Sequence, residues 1–105
     1  LEIKEIGLWL KNNGYANSII LGQDELTRLA FYADSEFIPL PKRTYGGIMR
    51  YARERKARLL VVDKRAMNGL PPHFFDEVSS KDLLPIDIPG IRASEYSTIV
   101  FRVID

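Results

Sequence analysis

The sequence predicts a three-layer α/β domain with a mostly parallel sheet, and three observations lead there. Segments of helical period alternate along the chain with short β-rich runs, the pattern that places strands side by side and helices on both faces. The run Leu59 to Val62 holds four apolar residues with no polar alternation, as a strand buried on both faces requires. The closing segment "STIVFRVI" does alternate, with Ile99, Phe101 and Val103 on one side and Val100, Arg102 and Ile104 on the other.

The elements follow in order. Ile3, Ile6 and Leu10 recur at helical spacing in "LEIKEIGLWLKNNG", with Trp9 beside the stripe. Asn12, Asn13 and Gly14 stop this helix, Gly14 being suited to the left-handed position that follows one. Ser18 to Leu21 reads as a buried strand closed by Gly22, and "QDELTRLAFYAD" as a second helix with Leu26, Leu29 and Ala30 inward. Phe31 and Tyr32 are expected to pack on the sheet at the end of that helix. In "EFIPLP", Pro39 and Pro41 lack amide donors, so this strand belongs at a sheet edge. "TYGGIMRYARERKA" is a third helix, capped by Thr44, with Ile48, Tyr51, Ala52 and Arg55 on its inner side. "RLLVVD" is the third strand, and "KRAMNGLPPHFFDEV" reads as helical turns broken at Gly69-Leu70-Pro71-Pro72. "LLPIDI" and "YSTIVFRVI" are two final strands, whose short connection favours an antiparallel hairpin. Right-handed crossovers then favour a Rossmann-like sheet of order 2-1-3 with the C-terminal hairpin beyond strand three.

Composition bounds the function. The 105 residues make one domain, with 46% hydrophobic and 28% charged residues describing an ordinary folded globule. With no cysteine and one histidine, disulfides, thiolate metal sites and multi-histidine metal sites are excluded for this chain, and no cofactor is expected. No apolar run approaches the roughly 20 residues of a membrane helix. The chain opens at Leu1 without a signal-like segment, which suits a piece excised from a longer protein. The net charge of +1 hides an uneven distribution. From Lys42 to Arg65 nine basic residues face two acidic ones, a net +7, while six face twelve elsewhere, a net −6.

Ligands of open α/β sheets sit beyond the carboxyl ends of the strands. That edge gathers Gln23 and Asp24 after the first strand, and Asp63 and Arg65 after the third, a candidate small-ligand or nucleotide site. Asp63 also reads as a cap of the following turn, and capping is the first expectation for it. "LGQDEL" has a single glycine, so the dinucleotide-binding fingerprint is missing, and there is no Walker A loop. His73, in "LPPHFF", sits among packing residues and reads as structural. The basic segment offers Arg43, Arg50, Arg53 and Lys56 for contact with an anionic surface, as headgroups or a lipid-linked sugar phosphate; a solvated face is the plainer reading. Nucleic acid is a weaker partner, because binding single strands draws on exposed aromatic rings among the charges, and here only Tyr45 and Tyr51 are available.

Taken together, "EIGLWLKNNG", "LAFYADSEFIPLP", "IMRYARERKARLLVVDKRAM" and "STIVFRVI" occur in an order and spacing that resembles a known segment. It is the C-terminal soluble region of polyprenyl-phosphate-sugar-dependent membrane glycosyltransferases, relatives of dolichyl-phosphate-mannose–protein mannosyltransferases and aminoarabinose transferases. The likeness weakens from Asn68 to Glu95. It implies a non-catalytic accessory domain on the extracytoplasmic side, attached to the transmembrane portion of its own parent chain. The family's catalytic carboxylate lies near the N-terminus of the whole protein, so no catalytic residue is expected here. The alternative is a free-standing small-ligand or nucleotide-binding module using Gln23, Asp24, Asp63 and Arg65.

Overall fold

The computed structural model describes residues 2–66, 68–90 and 97–105. The elements in chain order are α1 (Glu2–Leu10), a π-type turn (Lys11–Tyr15), β1 (Ile19–Gly22), a 3-10 turn (Asp24–Leu26), α2 (Thr27–Tyr32), β2 (Glu36–Pro39), α3 (Tyr45–Glu54), β3 (Leu59–Asp63), α4 (Phe74–Glu77), β4 (Leu83–Pro85) and β5 (Thr98–Val103). The five strands form one mixed sheet in the order β2-β1-β3-β5-β4. β1 runs parallel to β2 and β3, whereas β5 runs antiparallel to both β3 and β4. The expected 2-1-3 order and antiparallel C-terminal pair are both present. The segment 91–96, within the connection between the last two strands, lies outside the described residues.

Helices cover both faces. Ile6, Leu10, Leu26, Leu29 and Ala30 of the first two helical segments pack with Ile20, Leu59, Val61 and Val100. Ile48, Met49, Ala52 and Phe74 pack with Leu21, Ile38, Leu60, Val62, Phe101 and Val103 on the other face. β3 is central, and Leu59 to Val62 are each 0% exposed, which is why that run carries no polar alternation. β2 lies at one edge of the sheet and the three-residue β4 at the other; each contains a proline, Pro39 and Pro85.

Local chemistry explains the helix ends. The helical path runs on from α1 into the π-type turn and breaks at Gly14, which takes φ +92°, while the Asn13 side chain donates to the Trp9 carbonyl at 2.7 Å. The Thr44 hydroxyl accepts from the Gly47 amide at 3.2 Å, the expected cap of α3. Helices α2 and α3 end without glycine. Asp34 and Lys56 take φ +54° and +57°, and in each case two amides turn back onto the helix. Asp34 N–H donates to Phe31 and Ser35 N–H to Ala30; Lys56 N–H donates to Arg53 and Ala57 N–H to Ala52. Both are Schellman ends with a side-chain-bearing residue at the left-handed position.

Three expectations change. Phe31 does not pack on the sheet: it is 79% exposed, because Leu29, Ala30 and Ala33 take the inward positions and Tyr32 is half-buried. Arg55 is exposed, since it follows the last residue of α3, and Met49 is buried in its place. His73 stands outside the packing of Phe74; its side chain is 79% exposed and lies 3.5 Å from Asp76.

Gly7 sets the distance between α1 and α2. A Cβ at this position would stand 2.5 Å from the Tyr32 Cβ and 2.7 Å from the Leu29 carbonyl oxygen. Gly7→Ala is expected to destabilise the domain by about 1–3 kcal/mol through overpacking, despite the better helix propensity of alanine. Lys56→Gly is expected to stabilise it by up to about 1 kcal/mol by relieving the left-handed backbone. Denaturant unfolding at fixed m-value measures both.

Candidate functional site

β1 and β3 are neighbours, but the chain leaves β1 toward β2 on one side and returns to β3 on the other. Their carboxyl ends therefore flank the crevice where an open sheet ordinarily receives a ligand. Gln23, the first residue beyond β1, fills that position and is only 2% exposed. Its Oε1 accepts from the Asp63 amide at 2.6 Å, while its Nε2 donates to the carbonyls of Ala66 and Asn68, the latter at 2.9 Å. One side chain thus satisfies the last amide of β3 and two carbonyls of the segment that follows it. Buried or half-buried backbone groups need such partners.

Asp63 is held in the same way. Its Oδ1 accepts from the Arg65 amide at 2.9 Å, which is the capping role expected of it. Partial burial works to raise its pKa. The Ser97 hydroxyl, the Arg65 amide, the Arg65 charge and the Ala66 amide together outweigh that and hold the carboxyl below the usual aspartate value.

Asp24 is exposed on the 3-10 turn, its carbonyl accepting from the Thr27 hydroxyl at 2.7 Å. Arg65 is exposed and, with Asp63, borders an open cleft of about 470 Å³. Glu25 rather than Asp24 lines this cleft, along with Glu2 and Lys4 of α1 and Arg28 and Tyr32 of α2. Of the four ligand candidates, then, Asp63 and Arg65 come together at one cleft, whereas neither the buried Gln23 nor the exposed Asp24 lines it. The sequence reading missed the outward face of the second helical segment, where Glu25, Arg28 and Tyr32 recur at i, i+3 and i+7.

The basic segment is divided by the fold. Lys42 and Arg43 precede α3 and Lys64 and Arg65 follow β3, at the carboxyl edge of the parallel strands. Arg53, Arg55, Lys56 and Arg58 fall where α3 ends and β3 begins, at the opposite edge. An intervening helix of 10 residues is about 15 Å long, which separates the backbones of the two groups, although the Arg43 and Arg55 side chains converge on the Tyr51 ring between them. Several also have internal partners. Arg53 pairs with Asp82 at 2.7 Å, Arg58 donates to the Gly14 carbonyl at 2.8 Å, and Arg43 and Arg55 lie over the Tyr51 ring at 5.2 and 5.5 Å. The Tyr45 hydroxyl stands 3.0 Å from Asp82 and accepts from the Ser79 amide. Both tyrosines of the segment are thus engaged internally. The Arg53 hydrogen bond, aided by Tyr45, lowers the Asp82 pKa against a smaller opposing effect of burial.

Among the described residues no group of three or more His, Asp or Glu side chains is placed to hold a metal ion, and no helix is long and apolar enough to cross a membrane. Comparison with protein-family models, curated proteins and solved structures finds no match.

Gln23→Ala is expected to cost about 2–3 kcal/mol, because three backbone groups lose their partner at once. Gln23→Glu, which keeps the acceptor and loses both donors, is expected to be comparably damaging; urea unfolding at neutral pH reads both. The lowered carboxyl pKa values of Asp63 and Asp82 add stability that is complete above about pH 4 and is lost as pH falls through the native values. Asp63→Asn and Asp82→Asn should each flatten the stability profile below that pH, as followed by unfolding at stepped pH.

Proposed function

We propose that this chain is a non-catalytic accessory domain of a membrane-embedded glycosyltransferase that takes sugar from a polyprenyl-phosphate carrier. The observation that carries the proposal is the commitment of Gln23 and Asp63. The polar groups at the strand ends, where an α/β enzyme keeps its reacting side chains, are spent on backbone hydrogen bonds. The order of the four sequence strings supports the family assignment, and the 2-1-3 half of the sheet supports a Rossmann-like description.

In this reading the domain lies on the extracytoplasmic side and packs against the transmembrane portion of its own parent chain. Of the four residues expected to meet an anionic surface, Arg50 and Lys56 have exposed side chains without an ion-pair partner among the described residues, and these are the two free to meet anionic headgroups or the carrier phosphate. Arg53 serves Asp82 first, and Arg43 the Tyr51 ring.

The decisive experiment joins gene and activity. The open reading frame containing these residues should encode several apolar segments of about 20 residues. Membranes carrying its product should transfer sugar from a polyprenyl-phosphate donor, and the purified 105-residue piece should not. A reading frame without such segments, or turnover by the piece alone, overturns the proposal. For the surface contact, co-sedimentation with phosphatidylglycerol-containing vesicles should exceed that with phosphatidylcholine alone. It should weaken in Arg50→Ala/Lys56→Ala and fall as salt is raised.

A further inference from the structure

The cleft bordered by Asp63 and Arg65 has a charge pattern that the accessory role does not use. Three cations, Lys4, Arg28 and Arg65, line it together with three carboxylates, Glu2, Glu25 and Asp63. Opposite charges gathered in one exposed cleft ordinarily pair, yet the ion pairs among the described residues, Arg53–Asp82 and His73–Asp76, both lie elsewhere. Two of the carboxylates are already occupied by hydrogen bonds. Glu2 accepts from the Thr98 amide at 3.1 Å and Asp63 from the Arg65 amide at 2.9 Å. Glu25 has no such bond among the described residues, and neither Arg28 nor Lys4 has a side-chain partner there.

These facts select the kind of ligand. A simple anion entering the cleft meets as many carboxylates as cations, and a simple cation meets the reverse, so neither gains much. A small molecule bearing both signs gains on each. Its oxyanion reaches the Arg28 and Arg65 guanidiniums, which offer forked donors. Its ammonium lies against Glu25, one helical turn from Arg28. The half-buried Ile3 supplies apolar surface at the cleft. The volume of about 470 Å³ is within the range of small-molecule sites.

We propose that the cleft between α1, α2 and the turn after β3 binds a small zwitterion, an ammonium joined by a short carbon chain to a phosphate or carboxylate. The site is independent of the glycosyltransferase reading, and it requires no chemistry from the protein beyond recognition.

The test is a titration of the isotope-labelled domain, followed by amide chemical shifts at low salt, with phosphoethanolamine, inorganic phosphate and ethanolamine as separate probes. Phosphoethanolamine should shift amides of α1, α2 and residues 63–66, and bind about tenfold or more tightly than either half-molecule. Arg28→Ala and Glu25→Gln should each weaken that binding about tenfold while leaving the unfolding midpoint unchanged, as both side chains are exposed. Co-sedimentation with vesicles containing phosphatidylethanolamine separates the source. Arg28-dependent binding to them identifies a lipid headgroup, and binding of the free solute alone identifies a soluble metabolite. Phosphate binding as tightly as phosphoethanolamine, the absence of shifts with any probe, or unchanged affinity in both variants overturns the proposal.

Discussion

The carboxamide of Gln23 is the contact on which the arrangement of this domain's upper edge rests. It enters from the end of one strand and satisfies the backbone that leaves the next, joining β1 to the turn after β3 through donors and an acceptor at once. A primary amide carries two donors and an acceptor on one planar group. Because it occupies the crevice between diverging connections, the open space moves outward, to the groove between α1, α2 and Arg65. A typical α/β fold leaves that crevice for its ligand. Here the crevice has become part of the framework, and recognition is displaced to the helix faces.

The same framework redistributes charge. A stretch that is strongly basic along the chain is folded so that its backbone positions lie at the two ends of α3, with Arg43 and Arg55 meeting at the Tyr51 ring between them. What remains at each end is tempered by Asp82, by carbonyl oxygens and by the Tyr51 ring. Electrostatic attraction to a surface therefore depends on a few unpaired side chains rather than on the summed charge of the segment. Field strength follows spatial density, and sequence density is a poor guide to it when a helix intervenes.

Much of the architecture was legible because burial leaves a direct imprint on composition. Four apolar residues without alternation marked β3 as buried on both faces, Pro39 marked β2 as an edge, and the short stretch between the last two strands marked their antiparallel pairing. Where local backbone geometry departs from the common rule, the imprint disappears. Asp34 and Lys56 end helices at a position usually given to glycine, so nothing in the composition announces those ends. Arg55 was assigned inward because helical periodicity was extended past the cap. Phe31 falls outside the stripe of Leu26, Leu29, Ala30 and Ala33 that keeps the ordinary helical period, so its aromatic character misled where the period did not. The site was legible only in outline. A glutamine after a strand carries no mark of which backbone it will bind, and the outward face of α2 looks like any solvated surface until α1 and the β3 turn are set beside it.

The prolines at both margins of the sheet have a consequence for how the domain can be assembled into anything larger. Extending the ladder would require an incoming chain to find a regular row of amide hydrogens, and Pro39 on one side and Pro85 on the other each interrupt that row within a very short strand. Strand addition is thereby closed off at both flanks, whether by a sister copy or by a foreign peptide. Any companion must dock through side chains on the helical layers or on the connecting turns, which makes its grip a matter of shape and charge rather than of main-chain pairing.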